Sequence, residues 1–128
     1  DRSSAASDVY KRQEHNRREL MKDSTDLQLS HEMFYEDVCY FDKVVSRQVE
    51  LLNSENIGVR VDYPDFTSLG VWQAKDAPFL CIEPWCGSAD FDDCSGVFAE
   101  KRGIEILAPG AEKTFTYAIT AVEHKAKV

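Results

Sequence analysis

The sequence has no apolar run that approaches the ~20 residues needed for a membrane-spanning helix. It also has few basic residues: 15 Lys and Arg stand against 23 Asp and Glu, which gives 128 residues a formal charge of −8. An acidic surface repels the phosphates of nucleic acids and of anionic lipids. We therefore expect neither a membrane protein nor a nucleic-acid-binding protein, but a soluble globular domain with 43% hydrophobic residues.

The cysteine pattern lacks the spacing of a zinc site. No two cysteines form a C-x-x-C pair, and no histidine stands at zinc-finger spacing. We predict reduced thiols in a cytoplasmic protein, and the alternative is a disulfide between Cys86 and Cys94. The four positions are Cys39, Cys81, Cys86 and Cys94.

Three acidic residues, Asp90, Asp92 and Asp93, lie close together in a segment rich in Gly, Ser and Asp. Carboxylates are ligands for hard cations, but this cluster lacks the spacing and the glycine of an EF-hand loop. We therefore interpret it as a solvated loop. The sequence predicts no metal site.

The first residues differ in character from the rest of the chain. Back-translation of SSAASDVYKRQ, residues 3–13, gives a nucleotide string similar to the transposase adapter used to prepare sequencing libraries. We therefore expect residues 1–13 to be translated adapter, and residues 14–128 to be part of one native domain that extends upstream. The alternatives are a polar N-terminal tail and a signal peptide, and the signal peptide is excluded because the segment has no apolar core.

Short alternating segments separated by turn residues predict an all-β fold. Residues 59–63 alternate apolar and polar side chains, and residues 114–119 place Thr on one face and large apolar groups on the other. The second pattern is typical of a half-buried strand. Other candidate strands lie at residues 38–41, 49–51, 69–72 and 79–83, and Ile104 and Ile106 alternate before a Pro-Gly turn. With no long helix in the pattern, we predict a partial antiparallel β-sandwich.

The most apolar segment, in FLCIEPWCG at residues 79–87, predicts a buried strand over residues 79–83 that ends with a carboxylate. A buried carboxylate takes up a proton readily, so Glu83 is a candidate general base. Pro84 restricts Glu83 to extended backbone and is expected to end the strand, and Trp85 supplies a flat face beside it. Composition alone favours the other interpretation, a solvent-facing glutamate at the end of a core strand.

Two longer blocks resemble the C-terminal part of aldose 1-epimerase (galactose mutarotase-like) proteins. They are GVWQAKDAPFLCIEPWCGSAD at residues 70–90 and EKRGIEILAPGAEKTFTYAI at residues 100–119. PFLCIEPW and EK-x-GI occur in the family's order and spacing, and the likeness extends from about Leu29 onward. The resemblance implies a large sugar-mutarotase β-sandwich, of which this chain is the C-terminal part.

The resemblance also implies a site and a reaction. The glutamate matching Glu83 is the family's general base, which takes the proton from the anomeric hydroxyl of a hexose while a histidine protonates the ring oxygen. Asp37 resembles the aspartate that accepts hydrogen bonds from sugar hydroxyls. Trp85 and Trp72 match the pocket by position only. The implied reaction needs no cofactor.

One departure from the family pattern affects activity. The family's catalytic histidine, its substrate-binding histidine and an arginine lie in the N-terminal half, and His15, His31 and His124 match none of these positions. This chain is therefore expected to hold the base without the acid, and to be inactive by itself. It is also expected to be poorly folded, because a sandwich cut in two exposes sheet edges and half a core. The alternative is a compact partial sandwich with an open face where the missing strands belong.

Two other functions remain open at this point. One is a non-catalytic carbohydrate-binding module on the same sandwich, which needs aromatic and acidic residues but no acid–base pair. The other is a sugar-phosphate 1-epimerase, which would need several basic groups for the phosphate. Lys101 and Arg102 are the only adjacent basic pair after residue 18, so this function ranks lowest.

Overall fold

A computed structural model describes residues 25–91 and 93–125 of the protein. The described residues form two antiparallel sheets of three strands and contain no α-helix, so the all-β prediction is confirmed. In spatial order, the first sheet consists of β1 (Cys39–Phe41), β4 (Ser68–Trp72) and β5 (Cys81–Trp85). The second sheet consists of β2 (Gln48–Leu52), β3 (Ile57–Asp62) and β6 (Ala118–Glu123). Two 3₁₀ helices span His31–Phe34 and Phe98–Glu100.

The hydrophobic core joins the two sheets. Alternation along the strands of the first sheet directs Cys39, Leu69 and Val71 to one face, where they meet Val61 of β3. Tyr63, which follows β3, is the most deeply buried side chain at 1% exposure. This burial raises the pKa of the Tyr63 phenol, because its ionised form would lose hydration. The arrangement is a partial β-sandwich with a small core.

The connection between β2 and β3 is a turn held by one asparagine. The Asn53 side-chain oxygen accepts hydrogen bonds from the backbone N–H groups of Glu55 at 2.9 Å and Ile57 at 3.0 Å. Asn56 takes a φ of 60°, in the left-handed region that asparagine tolerates better than most residues. The strand predicted at residues 49–51 therefore forms as β2 and ends at Leu52, immediately before this turn.

The strand predicted at residues 79–83 is shifted by two residues in the structure. β5 begins at Cys81, and Phe79 lies outside it with 50% of its surface exposed, so its predicted burial was wrong. Pro84 does not end the strand, because β5 continues to Trp85. β5 is an edge strand, and a proline is tolerated where one side of the strand has no sheet neighbour.

The last strand is also shifted. β6 occupies Ala118–Glu123 instead of residues 114–119, and Ile119 is 65% exposed, so the half-buried strand was wrongly placed. The Thr116 N–H donates to the Asp65 carboxylate at 2.7 Å, a side-chain contact that replaces strand pairing there. Residues 104–106 form no strand. No helix among the described residues has the length and apolarity needed to cross a membrane.

All four cysteines are free thiols, as predicted, and the alternative Cys86–Cys94 disulfide does not form. Cys39 is buried in the core, and the other three are half-buried. Burial raises the pKa of the Cys86 thiol, and the nearby Glu105 carboxylate raises it further.

Candidate functional site

The first sheet has a second face, opposite the core, that carries the candidate site. Tyr40, Gly70 and Glu83 stand in one row across β1, β4 and β5. Residues directly opposite in antiparallel strands point to the same side, and residues two apart on one strand do so as well. We call this surface the aromatic face; its side chains are Tyr40, Ser68, Trp72, Cys81, Glu83 and Trp85.

Glu83 and Trp85 are joined directly on this face. The Trp85 indole Nε1–H donates a hydrogen bond to Glu83 Oε2 at 3.1 Å, and both side chains are half-buried. The spacing of two residues along β5 makes this contact possible, because both side chains project to the same side. A hydrogen bond to the charged form of a carboxylate stabilises that form and fixes its orientation. Trp85 thus orients the Glu83 carboxylate at the edge of an aromatic surface.

Tyr40 and Trp85 meet across the middle strand. Their ring centroids are 5.4 Å apart and their planes are inclined by 33°. The two outer strands of a three-stranded sheet are separated by about 10 Å, so the two rings must lean over the strand between them. Gly70 occupies that position on β4, and it has no side chain to separate the rings.

Two polar side chains contact the hydroxyl group of Tyr40. It lies 3.0 Å from Ser68 Oγ and 3.4 Å from Asp42 Oδ1. The second Asp42 carboxylate oxygen is 3.9 Å from the Arg102 guanidinium, which also lies over the Phe91 ring at 4.2 Å. These contacts link the aromatic face to the segment that follows β5.

The predicted site residues are only partly brought together. Trp72 lies on the aromatic face opposite Cys81, two positions along β5 from Glu83; such diagonal neighbours are about 7–8 Å apart. Trp72 also contacts Phe79 edge-on, with centroids 6.3 Å apart. Asp37 lies in an exposed bend before β1, where its carboxylate accepts the Val38 N–H at 2.7 Å. Trp72 thus shares a sheet face with Glu83 and Trp85, and Asp37 stands outside the sheet.

The two histidines in the described part of the chain contact other groups. His31 Nδ1 lies in hydrogen-bonding contact with the Gln73 amide, beyond the end of β4. His124 Nε2 is 2.8 Å from the Glu50 carboxylate on the second sheet. Within residues 25–91 and 93–125, neither histidine is hydrogen-bonded to Glu83. His15 lies outside the described residues.

Two surface cavities are lined mainly by the segment that follows β5. One of about 370 Å³ is lined by residues of the segments 89–91 and 93–102, and an open one of about 420 Å³ is lined by residues 84–89 and Lys101. Glu83 lines neither cavity. Lys101 lies 3.3 Å from Asp90, so one member of the predicted acidic cluster contacts a cation of the protein itself. Asp92 lies outside the described residues, and no described group of three or more His, Cys, Asp or Glu residues could hold a metal ion.

Sequence reasoning missed four residues that shape this site: Tyr40, Asp42, Ser68 and Gly70. A pattern of alternation would place Tyr40 and Asp42 on one face of a strand, and Ser68 and Gly70 on one face of another. Nothing local indicates that these two strands are neighbours. No family model matches the chain, and no significant match was found among curated proteins or solved structures.

Proposed function

We propose that this chain is the base-carrying part of an aldose 1-epimerase that interconverts the α and β anomers of a hexose. One observation carries the proposal: the Glu83 carboxylate is held by the Trp85 indole beside a second aromatic ring, Tyr40. A sugar needs both features, since its hydroxyls require a proton acceptor and its C–H groups pack on ring faces, which carry partial negative charge. The resemblance of residues 70–90 and 100–119 to this family supports the same reaction.

In the proposed mechanism, Glu83 removes the proton from the anomeric hydroxyl. An acid protonates the ring oxygen, the bond between C1 and that oxygen breaks, and the sugar opens to its aldehyde. Rotation about the C1–C2 bond exposes the other side of the aldehyde. Ring closure then gives the other anomer, and both protons return to their starting groups. Trp85 holds one carboxylate oxygen, which leaves Oε1 to accept the proton.

The acid of this mechanism is a histidine in the resembling family. Because His31 and His124 are engaged with Gln73 and Glu50, we assign the role to neither. We propose that a histidine from the upstream part of the native protein supplies the proton, and that the 128-residue chain alone is inactive. Free thiols and an acidic composition are compatible with the proposed cytoplasmic location.

A non-catalytic carbohydrate-binding module is the second candidate function. The aromatic face favours it, because this face presents two tryptophans and a carboxylate. In addition, no histidine among the described residues is hydrogen-bonded to Glu83. A sugar-phosphate epimerase is less well supported. Lys101 and Arg102 lie near Asp90 and Asp42, so their charges are already offset by carboxylates.

The test is polarimetry of freshly dissolved α-glucose and α-galactose with the native protein, after its upstream reading frame has been recovered. Glu83→Gln should lower the rate of anomer interconversion by about 10²–10⁴-fold, because a general base contributes that much. Glu112→Gln, which removes an exposed carboxylate far along the chain, is the matched control and should be as active as the parent. An unchanged rate with Glu83→Gln would remove this residue from the mechanism, and sugar binding without catalysis would favour the binding module.

A further inference from the structure

Gly70 has a spatial role that its backbone conformation does not explain. Four of the six glycines adopt a positive φ, but Gly70 does not, so another residue could adopt its backbone angles. A Cβ atom at this position would instead lie 3.0 Å from Cε2 and 3.3 Å from Nε1 of Trp85. These distances are shorter than ordinary carbon contacts of about 3.5–4.0 Å. The glycine therefore provides room for the indole.

The indole atoms that a side chain would meet include the one that donates to Glu83. Trp85 Nε1 is 3.1 Å from the carboxylate, near the upper end of the usual range of about 2.7–3.2 Å for such hydrogen bonds. A displacement of a few tenths of an ångström away from Glu83 would take the donor out of that range. We therefore expect a side chain at position 70 to weaken the indole–carboxylate contact.

Tyr40 limits the movement of the same indole from the other outer strand. Its ring contacts Trp85, and its hydroxyl lies 3.0 Å from Ser68 Oγ, a side chain with only 4% exposure. Because the hydroxyl is anchored, the Tyr40 ring cannot move away without breaking that contact. The indole is thus confined by the Gly70 backbone and by the Tyr40 ring.

We propose that Gly70 and Tyr40 are positioning residues that hold the Trp85 indole on the Glu83 carboxylate. Gly70 has no side chain, and the Tyr40 hydroxyl contacts Ser68 and Asp42, so both residues act on the carboxylate through Trp85. The effect on the carboxylate is a property of this chain alone. The effect on catalysis rests on the proposed function, in which Glu83 must present one free oxygen to the anomeric hydroxyl.

The experiment uses the 128-residue chain labelled with ¹⁵N and follows its two indole N–H resonances by NMR at one neutral pH. Trp85→Phe assigns the signal, and the Trp72 resonance serves as an internal reference. Glu83→Ala removes the acceptor and should move the Trp85 N–H resonance, and we call this change the Glu83-dependent shift. When Glu83→Ala is introduced into Gly70→Ala, the Glu83-dependent shift should be at least about two-fold smaller, because the donor has left hydrogen-bonding distance.

Two further variants separate positioning from stability. Tyr40→Leu removes the ring and should also reduce the Glu83-dependent shift of Trp85, which tests the proposal independently if Gly70→Ala does not fold. Val71→Ala, on the core face of β4, should lower stability yet leave that shift intact. A full Glu83-dependent shift in both Gly70→Ala and Tyr40→Leu would overturn the proposal.

The same variants in the native protein distinguish the two proposals. Gly70→Ala should lower kcat with little change in KM, since orientation of the base matters in the transition state. If the NMR shift is lost in Gly70→Ala but the parent protein never interconverts anomers, the positioning roles stand and the epimerase proposal fails. If the shift persists in both variants, the positioning roles fail whatever the activity.

Discussion

The two sheets of this protein use their faces differently. In the first sheet, one face packs into the core through Leu69 and Val71, and the other carries the linked aromatic and acidic side chains of the site. In the second sheet, only part of the apolar face is covered. Val61 of β3 is 5% exposed, while Ile119, directly opposite it on β6, is 65% exposed.

The pair of Val61 and Ile119 shows that strand pattern and burial are separate properties. Both residues alternate with smaller or polar neighbours and point to the same side of one sheet. Val61 is buried because it faces the first sheet and the ring of Tyr63, whereas the core does not extend to Ile119. Alternation therefore predicts which side chains share a face, and only the second layer determines which are buried.

The largest expected difference in unfolding free energy is between a variant in the covered core and a variant on the uncovered face of the second sheet. Leu69→Ala should lower the free energy of unfolding by about 2–5 kcal/mol, because it leaves a cavity in the core. Ile119→Ala removes a similar aliphatic group and should change it by only about 0.5 kcal/mol. Urea unfolding followed by tryptophan fluorescence measures both. Equal losses would show that the second sheet is covered in solution and would break the comparison.

An intermediate effect concerns Tyr63, which follows β3 and lies in the core that joins the sheets. Burial raises its pKa in the folded protein above the unfolded value, so the neutral phenol contributes stability below about pH 10. That contribution is lost as pH rises through the folded pKa, because the unfolded chain releases its proton first. Stability should therefore fall as the pH rises above about 10.

Tyr63→Phe is the matched variant, because it keeps the ring and removes the titrating group. Its unfolding free energy should decline less steeply over the same pH range in urea titrations. Tyr117→Phe, which alters an exposed tyrosine, is the control and should keep the parent's slope. An identical slope in Tyr63→Phe would show that the core phenol does not contribute to alkaline unfolding.

Most strands of the fold could be predicted from local alternation. β1 to β4 lie where the apolar and turn residues place them, within two residues at either end. β5 and β6 are displaced because apolar runs continue beyond the paired segment. Phe79 packs against Trp72 outside the strand, and the Thr116 N–H bonds to a side chain, so neither residue joins a ladder.

The candidate site could be predicted only where it lies on one strand. Glu83 and Trp85 are two residues apart on β5, so their contact follows from the sequence once a strand is assumed. Tyr40 and Gly70 come from two other strands, and the register that brings them beside Trp85 depends on pairing between distant segments. Residue type gives no indication of that register.

The smallest expected effect compares polar contacts on the two sheets. Arg60 and Asp62 form an ion pair at 3.1 Å on the second sheet, but their side chains are 38% and 35% exposed. Asp62→Asn should therefore lower stability by no more than about 1 kcal/mol, and 1 M salt should reduce that difference, because water and ions screen exposed charges.

Tyr40→Phe removes a hydroxyl contact to buried Ser68 on the first sheet, and should cost about 0.5–1.5 kcal/mol at any salt concentration. The salt dependence of urea unfolding distinguishes the two variants. If the stability of Tyr40→Phe depends on salt as that of Asp62→Asn does, the aromatic face is as open to solvent as the second sheet. The hydrogen bond between Trp85 and Glu83 would then be exposed to water.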